Sequence, residues 1–127
     1  MRKIMAITML LVTLLASTCF AADWYWLLST DTTSFYVDRS SGQWNGSLLN
    51  CTIKGIDSQN DYYLVDNTFD YSRFPRIYKR WNYFWSYNAD GTFKGSSRSY
   101  EWEPVAPESV GEAIAVKIYY LFAGRRN

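Results

Sequence analysis

The chain has 127 residues, 13 of them basic and 12 acidic, a net charge of +1, and no histidine. This near-neutral balance argues against a nucleic-acid-binding protein, because such proteins carry a clear excess of Lys and Arg. The absence of histidine removes the commonest general base and the commonest metal ligand. We therefore expect a protein that is not an enzyme and that uses no metal or other cofactor.

The first 22 residues have the pattern of a cleaved signal peptide. Arg2 and Lys3 precede an apolar run over residues 4–16, and mostly small side chains follow as far as Ala21 and Ala22. This order of segments is typical of secretory signals, and the run is shorter than the roughly 20 residues that span a bilayer. We expect cleavage after Ala21 or Ala22 and no transmembrane segment in the rest of the chain. The expected location is the periplasm, the outer cell surface or the medium.

A lipid anchor at Cys19 is the alternative for this segment. Lipoprotein signals place a branched residue three positions before the cysteine and Gly or Ala directly before it. Here Leu15 lies one position too far away and Thr18 is the direct neighbour. The pattern therefore favours simple cleavage over lipidation, and it leaves residues 23–127 as one domain with 11 basic and 12 acidic side chains.

Period-two alternation predicts strands through most of the exported chain, in agreement with an aromatic content of 19%. The predicted strands span residues 24–28, 34–37, 48–56, 62–65 with an extension to 69, 76–87, 92–96 and 99–102. Turns are expected at Asn45-Gly46 and over residues 88–91. Along residues 76–87, strict alternation puts one set of side chains on a single face: Ile77, Trp81, Tyr83, Trp85 and Tyr87.

Cys51 is the one cysteine that remains after cleavage, so no intrachain disulfide can form. It alternates with Leu49 and Ile53 along the predicted strand over residues 48–56. Because this alternation places all three on the apolar face, we expect Cys51 to be buried, although an isolated cysteine could also pair with another chain.

After Ser109, the spacing of apolar residues changes from every second residue to the spacing of a helix. Ser109 and Glu112 form a capping box behind Pro107, and a helical apolar stripe follows. Its members are Val110, Ala113, Ile114, Ile118 and Leu121. The fold class predicted is therefore α+β: an antiparallel β-sheet of about five to six strands with a single C-terminal α-helix packed on one face.

Basic and aromatic side chains alternate near the start of the longest predicted strand. The candidate binding residues are Arg73, Arg76, Tyr78, Lys79 and Arg80. Paired arginine contacts and ring stacking would suit a sulfated glycan or an acidic protein segment. The competing interpretation is a solvated strand face on which arginine stems lie along aromatic rings.

Three segments resemble the surface-adhesin protein E-like family of Gram-negative bacteria. They are Trp24-Tyr25-Trp26, Phe-Tyr-Val-Asp-Arg-Ser-Ser at residues 35–41, and Trp-Glu-Pro-Val-Ala-Pro-Glu-Ser-Val-Gly-Glu-Ala-Ile at residues 102–114. The last is the most specific, because the family ends with a proline-spaced linker and Pro-x-Ser-x-Gly-Glu before a terminal helix. Family members commonly join this helix to the sheet through a cysteine near the chain end. Residues 118–122 contain none, so apolar contacts are expected to hold the helix.

The resemblance implies an antiparallel sheet with a terminal helix on its concave face, displayed at the bacterial surface. It also implies a protein partner such as the host matrix and serum proteins laminin and vitronectin. The function expected is that of an exported, non-catalytic protein that binds a macromolecule. The alternatives are a structural envelope component that docks through a sheet edge, and a glycan-binding module with an aromatic platform.

Overall fold

The computed structural model describes residues 21–126. The predicted signal peptide, residues 1–22, lies outside this range except for Ala21 and Ala22, which are exposed ahead of the first strand. Cys19 also lies outside the described residues. Within the described part of the chain, no helix is both long and apolar enough to cross a membrane.

Eight strands and one α-helix build the described chain. The strands are β1 (Trp24–Ser29), β2 (Thr33–Asp38), β3 (Gln43–Asn45), β4 (Leu48–Asp57), β5 (Tyr62–Asp70), β6 (Tyr78–Tyr87), β7 (Phe93–Arg98) and β8 (Glu103–Pro104), and helix α1 spans Val110–Phe122. Every strand pair is antiparallel, in the order β1-β2-β4-β5-β6-β7. The short strands β3 and β8 pair with the first residues of β4 and β6. The predicted α+β class is confirmed, and the two short strands explain why the sheet has eight strands rather than five or six.

Strand β4 has one buried face, as its alternation predicts. Leu49 and Cys51 are completely buried and Ile53 is nearly so. The turn before this strand has Gly46 at a φ of 62°, a backbone conformation that glycine adopts without steric cost. Cys51 is a free, buried thiol, which confirms the prediction of burial, and burial raises its pKa.

β-Bulges in β6 and in β1 change which face large apolar side chains occupy. In β6, Trp81 pairs with Asn67 and Tyr83 with Asp66, so Asn82 is the extra residue. A bulge places two residues of one strand opposite one of its partner and shifts the alternation beyond it. Trp81 therefore lies on the helix side, and three aromatic residues lie on the opposite face: Tyr83, Trp85 and Tyr87. The prediction that these four side chains share one face is wrong for this reason.

The second bulge lies in β1, between Trp26 and Leu28. Leu27 is the residue without a partner, and it is almost completely buried. The bulge moves Leu28 to the helix side, where it pairs with Phe35, whereas Trp26 stays on the opposite face. Period-two alternation along residues 24–28 predicts that Trp24, Trp26 and Leu28 share one face, and the bulge makes this prediction wrong for Leu28.

Helix α1 begins at the predicted cap and packs on one face of the sheet. The Ser109 side chain accepts a hydrogen bond from the backbone N–H of Glu112 at 3.1 Å. The buried residues of the helix are Ile114, Ala115, Ile118 and Phe122. The predicted stripe is thus confirmed at Ile114 and Ile118, while Val110 and Ala113 are exposed.

Three side-chain hydrogen bonds hold the helix in this orientation, two donated to it from other parts of the fold and one donated by the helix. Trp44 donates from its indole nitrogen to the carbonyl oxygen of Phe122 at 2.9 Å, and the Tyr71 hydroxyl donates to the carbonyl of Ala115 at 2.7 Å. Lys117 donates from the helix to the carbonyl of Leu27 at 2.6 Å. Apolar contact and these hydrogen bonds hold the helix to the sheet.

Candidate functional site

The five predicted binding residues lie where the chain enters β6. Arg73 and Arg76 are exposed in the connection after β5, and Tyr78, Lys79 and Arg80 are the first three residues of β6. The strand begins at Tyr78, two residues later than predicted. The Arg73 guanidinium lies 5.8 Å from the centre of the Tyr78 ring, and the Arg76 backbone N–H donates to the Arg73 carbonyl.

The sheet divides these residues between its two faces. Tyr78 and Arg80 point to the face opposite α1, here called the outer face. Lys79 points to the helix side, because neighbouring residues of a strand face opposite ways, and it lines a cavity there together with Phe69. The structure therefore brings Arg73, Tyr78 and Arg80 together on the outer face and separates Lys79 from them.

Arginine side chains on the outer face stack on aromatic rings. The Arg80 guanidinium lies 4.7 Å from the centre of the Trp102 ring. Arg98, in the neighbouring strand β7, lies 4.5 Å from the Tyr83 ring and 5.3 Å from the Tyr100 ring, and it also contacts the Tyr100 hydroxyl. These distances are within the range of favourable cation–π contact. We call the following set the arginine–aromatic cluster: Arg73, Tyr78, Arg80, Tyr83, Arg98, Tyr100 and Trp102.

A hydrogen-bonded polar network lies beside this cluster on the outer face. The Asn50 amide donates to Asp66 at 2.8 Å and to the Thr68 hydroxyl at 3.1 Å. Asn82 donates to the same hydroxyl at 3.0 Å, and its oxygen accepts from Arg80 Nε at 3.0 Å. The bulged residue Asn82 thus joins the polar network to the cluster, and its hydrogen bond to Arg80 orients the arginine side chain.

A second cation lies farther along the same face. Lys54 Nζ is 5.2 Å from the Trp24 ring and 4.9 Å from the Tyr62 ring. Helix α1 packs on the opposite face, and Trp26, at the sheet edge, is 54% exposed and 5.5 Å from Lys117 Nζ of the helix. The outer face therefore presents cations held on half-exposed rings to the solvent.

The sequence prediction missed part of this cluster. Tyr100 and Trp102 were expected in a strand over residues 99–102, Arg98 between two strands, and Tyr83 on the other face. The structure instead has Arg98 at the end of β7 and no strand over residues 99–102. The available signal was the i, i+2 spacing of Arg98 and Tyr100. The contact of Arg98 with Tyr83 depends on the pairing of β6 with β7, and the local sequence does not specify this pairing.

Within residues 21–126, no three Cys, Asp or Glu side chains gather in a group that could hold a metal ion. No protein-family profile, curated protein or solved structure matches the chain significantly.

Proposed function

We propose that this chain is an exported, non-catalytic protein that binds an acidic macromolecule through the arginine–aromatic cluster. The resemblance described above points to a host matrix or serum protein such as laminin or vitronectin. Sulfated glycans present anionic oxygens, as the acidic segments of proteins do. Either would engage the guanidinium groups of Arg80 and Arg98.

The observation that carries this proposal is the stacking of Arg80 on Trp102 and of Arg98 on Tyr83. Stacking orders a long side chain before a partner arrives, so less rotamer entropy is lost on binding. It also leaves N–H donors for carboxylate or sulfate oxygens, because Arg80 is bonded only through Nε to Asn82 and Arg98 only through one terminal nitrogen to Tyr100. Among residues 21–126 the ion pairs join Arg39 to Asp23 and Lys94 to Asp61, so Arg80 and Arg98 form no ion pair with these residues.

The test is retention on immobilised heparin and on laminin of the wild type and of the Arg80→Ala, Arg98→Ala double variant. Loss of two charge-assisted contacts should weaken binding by about tenfold or more. Circular dichroism establishes that the variant is folded.

The matched control is the Arg39→Ala, Lys94→Ala double variant, which removes the same charge elsewhere. These two side chains make exposed ion pairs with Asp23 and Asp61, and such pairs contribute little to stability. Retention should be nearly unchanged in the control. Equal losses in both double variants would show that net charge alone governs retention, and would contradict a site at the cluster.

A neutral glycan is the second candidate ligand, favoured by the polar network. Sugars are recognised by planar polar groups next to aromatic rings, and Asn50, Asp66 and Asn82 lie beside Tyr83 in this way. Asn82→Ala would then abolish retention on a neutral polysaccharide. Retention on heparin alone, with none on neutral polysaccharides, would exclude this candidate.

A further inference from the structure

A cavity of about 620 Å³ lies on the helix side of the sheet, beside the first turn of α1. The helix covers the other half of this face, so rings and aliphatic side chains of β4, β5 and β6 line a space that remains open. The apolar wall includes Ile53, Tyr63, Val65, Trp81, Phe84 and Ile114. Its volume is within the range of small-molecule sites in proteins.

The amide and the ammonium of the cavity lie together at one end. Asn67 pairs with Trp81, and Lys79 pairs with Phe69 in the next row on the same face, so Asn67 and Lys79 are diagonal neighbours. Tyr63 and Val65 lie toward the opposite end, and β5 rises about 13 Å between Asn67 and Tyr63. The cavity is thus elongated, with the amide and the ammonium at one end and mainly rings and aliphatic side chains toward the other, where Tyr63 and Ser97 carry hydroxyls.

The Asn67 side chain is an unusual feature of this polar end. It is only 5% exposed and it lines the cavity. Among residues 21–126, no fully buried side-chain nitrogen or oxygen lacks a hydrogen-bond partner, so the amide of Asn67, which bonds to none of these residues, is open to the cavity. It is therefore placed to bond a ligand there.

The charge of the lining indicates the sign of that ligand. Lys79 is the one ionised side chain among the described residues that line the cavity. Glu103 is opposite Lys79 in the ladder with β8, but the ion pairs of residues 21–126 join Arg39 to Asp23 and Lys94 to Asp61. The Lys79 ammonium is therefore available to an anion.

We propose that this cavity binds a medium-chain fatty acid, with its carboxylate at Lys79 and Asn67 and its hydrocarbon chain along Val65, Phe84 and Tyr63. A carboxylate can accept from the ammonium and from the amide together. The apolar wall excludes water from the chain, and no polar group of the ligand is left unpaired. This site is on the opposite face from the arginine–aromatic cluster and does not depend on the proposed function.

The test is calorimetric titration of the purified protein with dodecanoate, octanoate and dodecyltrimethylammonium. Saturable one-to-one binding of dodecanoate is expected. Octanoate should bind on the order of a hundredfold more weakly, because each buried methylene contributes about a fourfold gain in affinity. Equal binding of the cationic amphiphile, or no binding of dodecanoate, would overturn the proposal.

Lys79→Met tests the polar end, because it removes the charge and keeps an apolar stem. It should weaken dodecanoate binding at least tenfold, whereas the same change at Lys54 on the outer face should leave binding unchanged. Ser97→Trp is a second variant, at an exposed cavity-lining position, and it should block entry. Full affinity in either Lys79→Met or Ser97→Trp would contradict the assigned site.

Discussion

At the scale of single residues, two buried titratable groups lie between the sheet and α1. Cys51 is fully buried, and burial together with the nearby Asp66 charge raises the pKa of its thiol above the ordinary 9.0. Burial likewise raises the pKa of Tyr71 above the ordinary 10.0, and the Tyr71 hydroxyl remains a donor to Ala115. Both groups therefore stay protonated in the folded protein at a pH at which they would already be ionised in the unfolded chain.

Stability should consequently fall as the pH rises past about 9, because the native state then holds more protons than the unfolded state. Each group contributes a slope of at most about 1.4 kcal/mol per pH unit. The Cys51→Ala, Tyr71→Phe double variant should show a shallower alkaline decline, although it is less stable at neutral pH. Urea unfolding between about pH 8 and pH 10.5 measures this.

Tyr120→Phe is the control for this prediction, since Tyr120 is 67% exposed and should not alter the slope. An alkaline decline as steep in the double variant as in the wild type would show that other groups cause it.

At the scale of elements, the end of α1 is held by close contact with the segment between β2 and β3. The Phe122 ring is fully buried, and it occupies the place where a Cβ atom at position 42 would project. Gly42 has an ordinary extended backbone with φ of −68°, so the need for glycine here arises from the ring and not from the backbone. The carbonyl of Phe122 is bonded by Trp44 in the adjacent strand.

Gly42→Ala should therefore destabilise the protein by about 1–3 kcal/mol, the usual cost of overpacking a core. Gly95→Ala is the matched control, because nothing lies within 4 Å of a Cβ built at Gly95. Thermal unfolding of both variants measures the difference. Equal melting temperatures for Gly42→Ala and the control would contradict the close packing of α1 on this segment.

The elements that sequence could predict are those specified by local pattern. The alternation around Cys51 identified β4 and its buried face, and Ser109 with Glu112 identified the start of α1. The bulges at Leu27 and Asn82 could not be predicted, because they arise where pairing with a neighbouring strand shifts by one residue. The Asn82 bulge changed the face of Tyr83 and with it the composition of the candidate site.

At the scale of the whole molecule, the two faces of one sheet have different chemistry. The helix side carries the apolar core and the cavity that contains Asn67. The outer face carries arginines stacked on rings, with Arg80 and Arg98 as its main donors. Because side chains alternate along each strand, a ligand of one face need not disturb the other.

The most direct test of the account is nuclear magnetic resonance mapping of a short heparin oligosaccharide on the isotopically labelled protein. Saturable shifts are predicted for the side-chain signals of Arg80, Arg98 and Trp102, while the methyl signals of Val65 and Ile114 in the cavity remain unchanged. Shifts that cluster away from the outer face, or no saturable shifts with the oligosaccharide in excess, would contradict binding of an acidic macromolecule at the arginine–aromatic cluster.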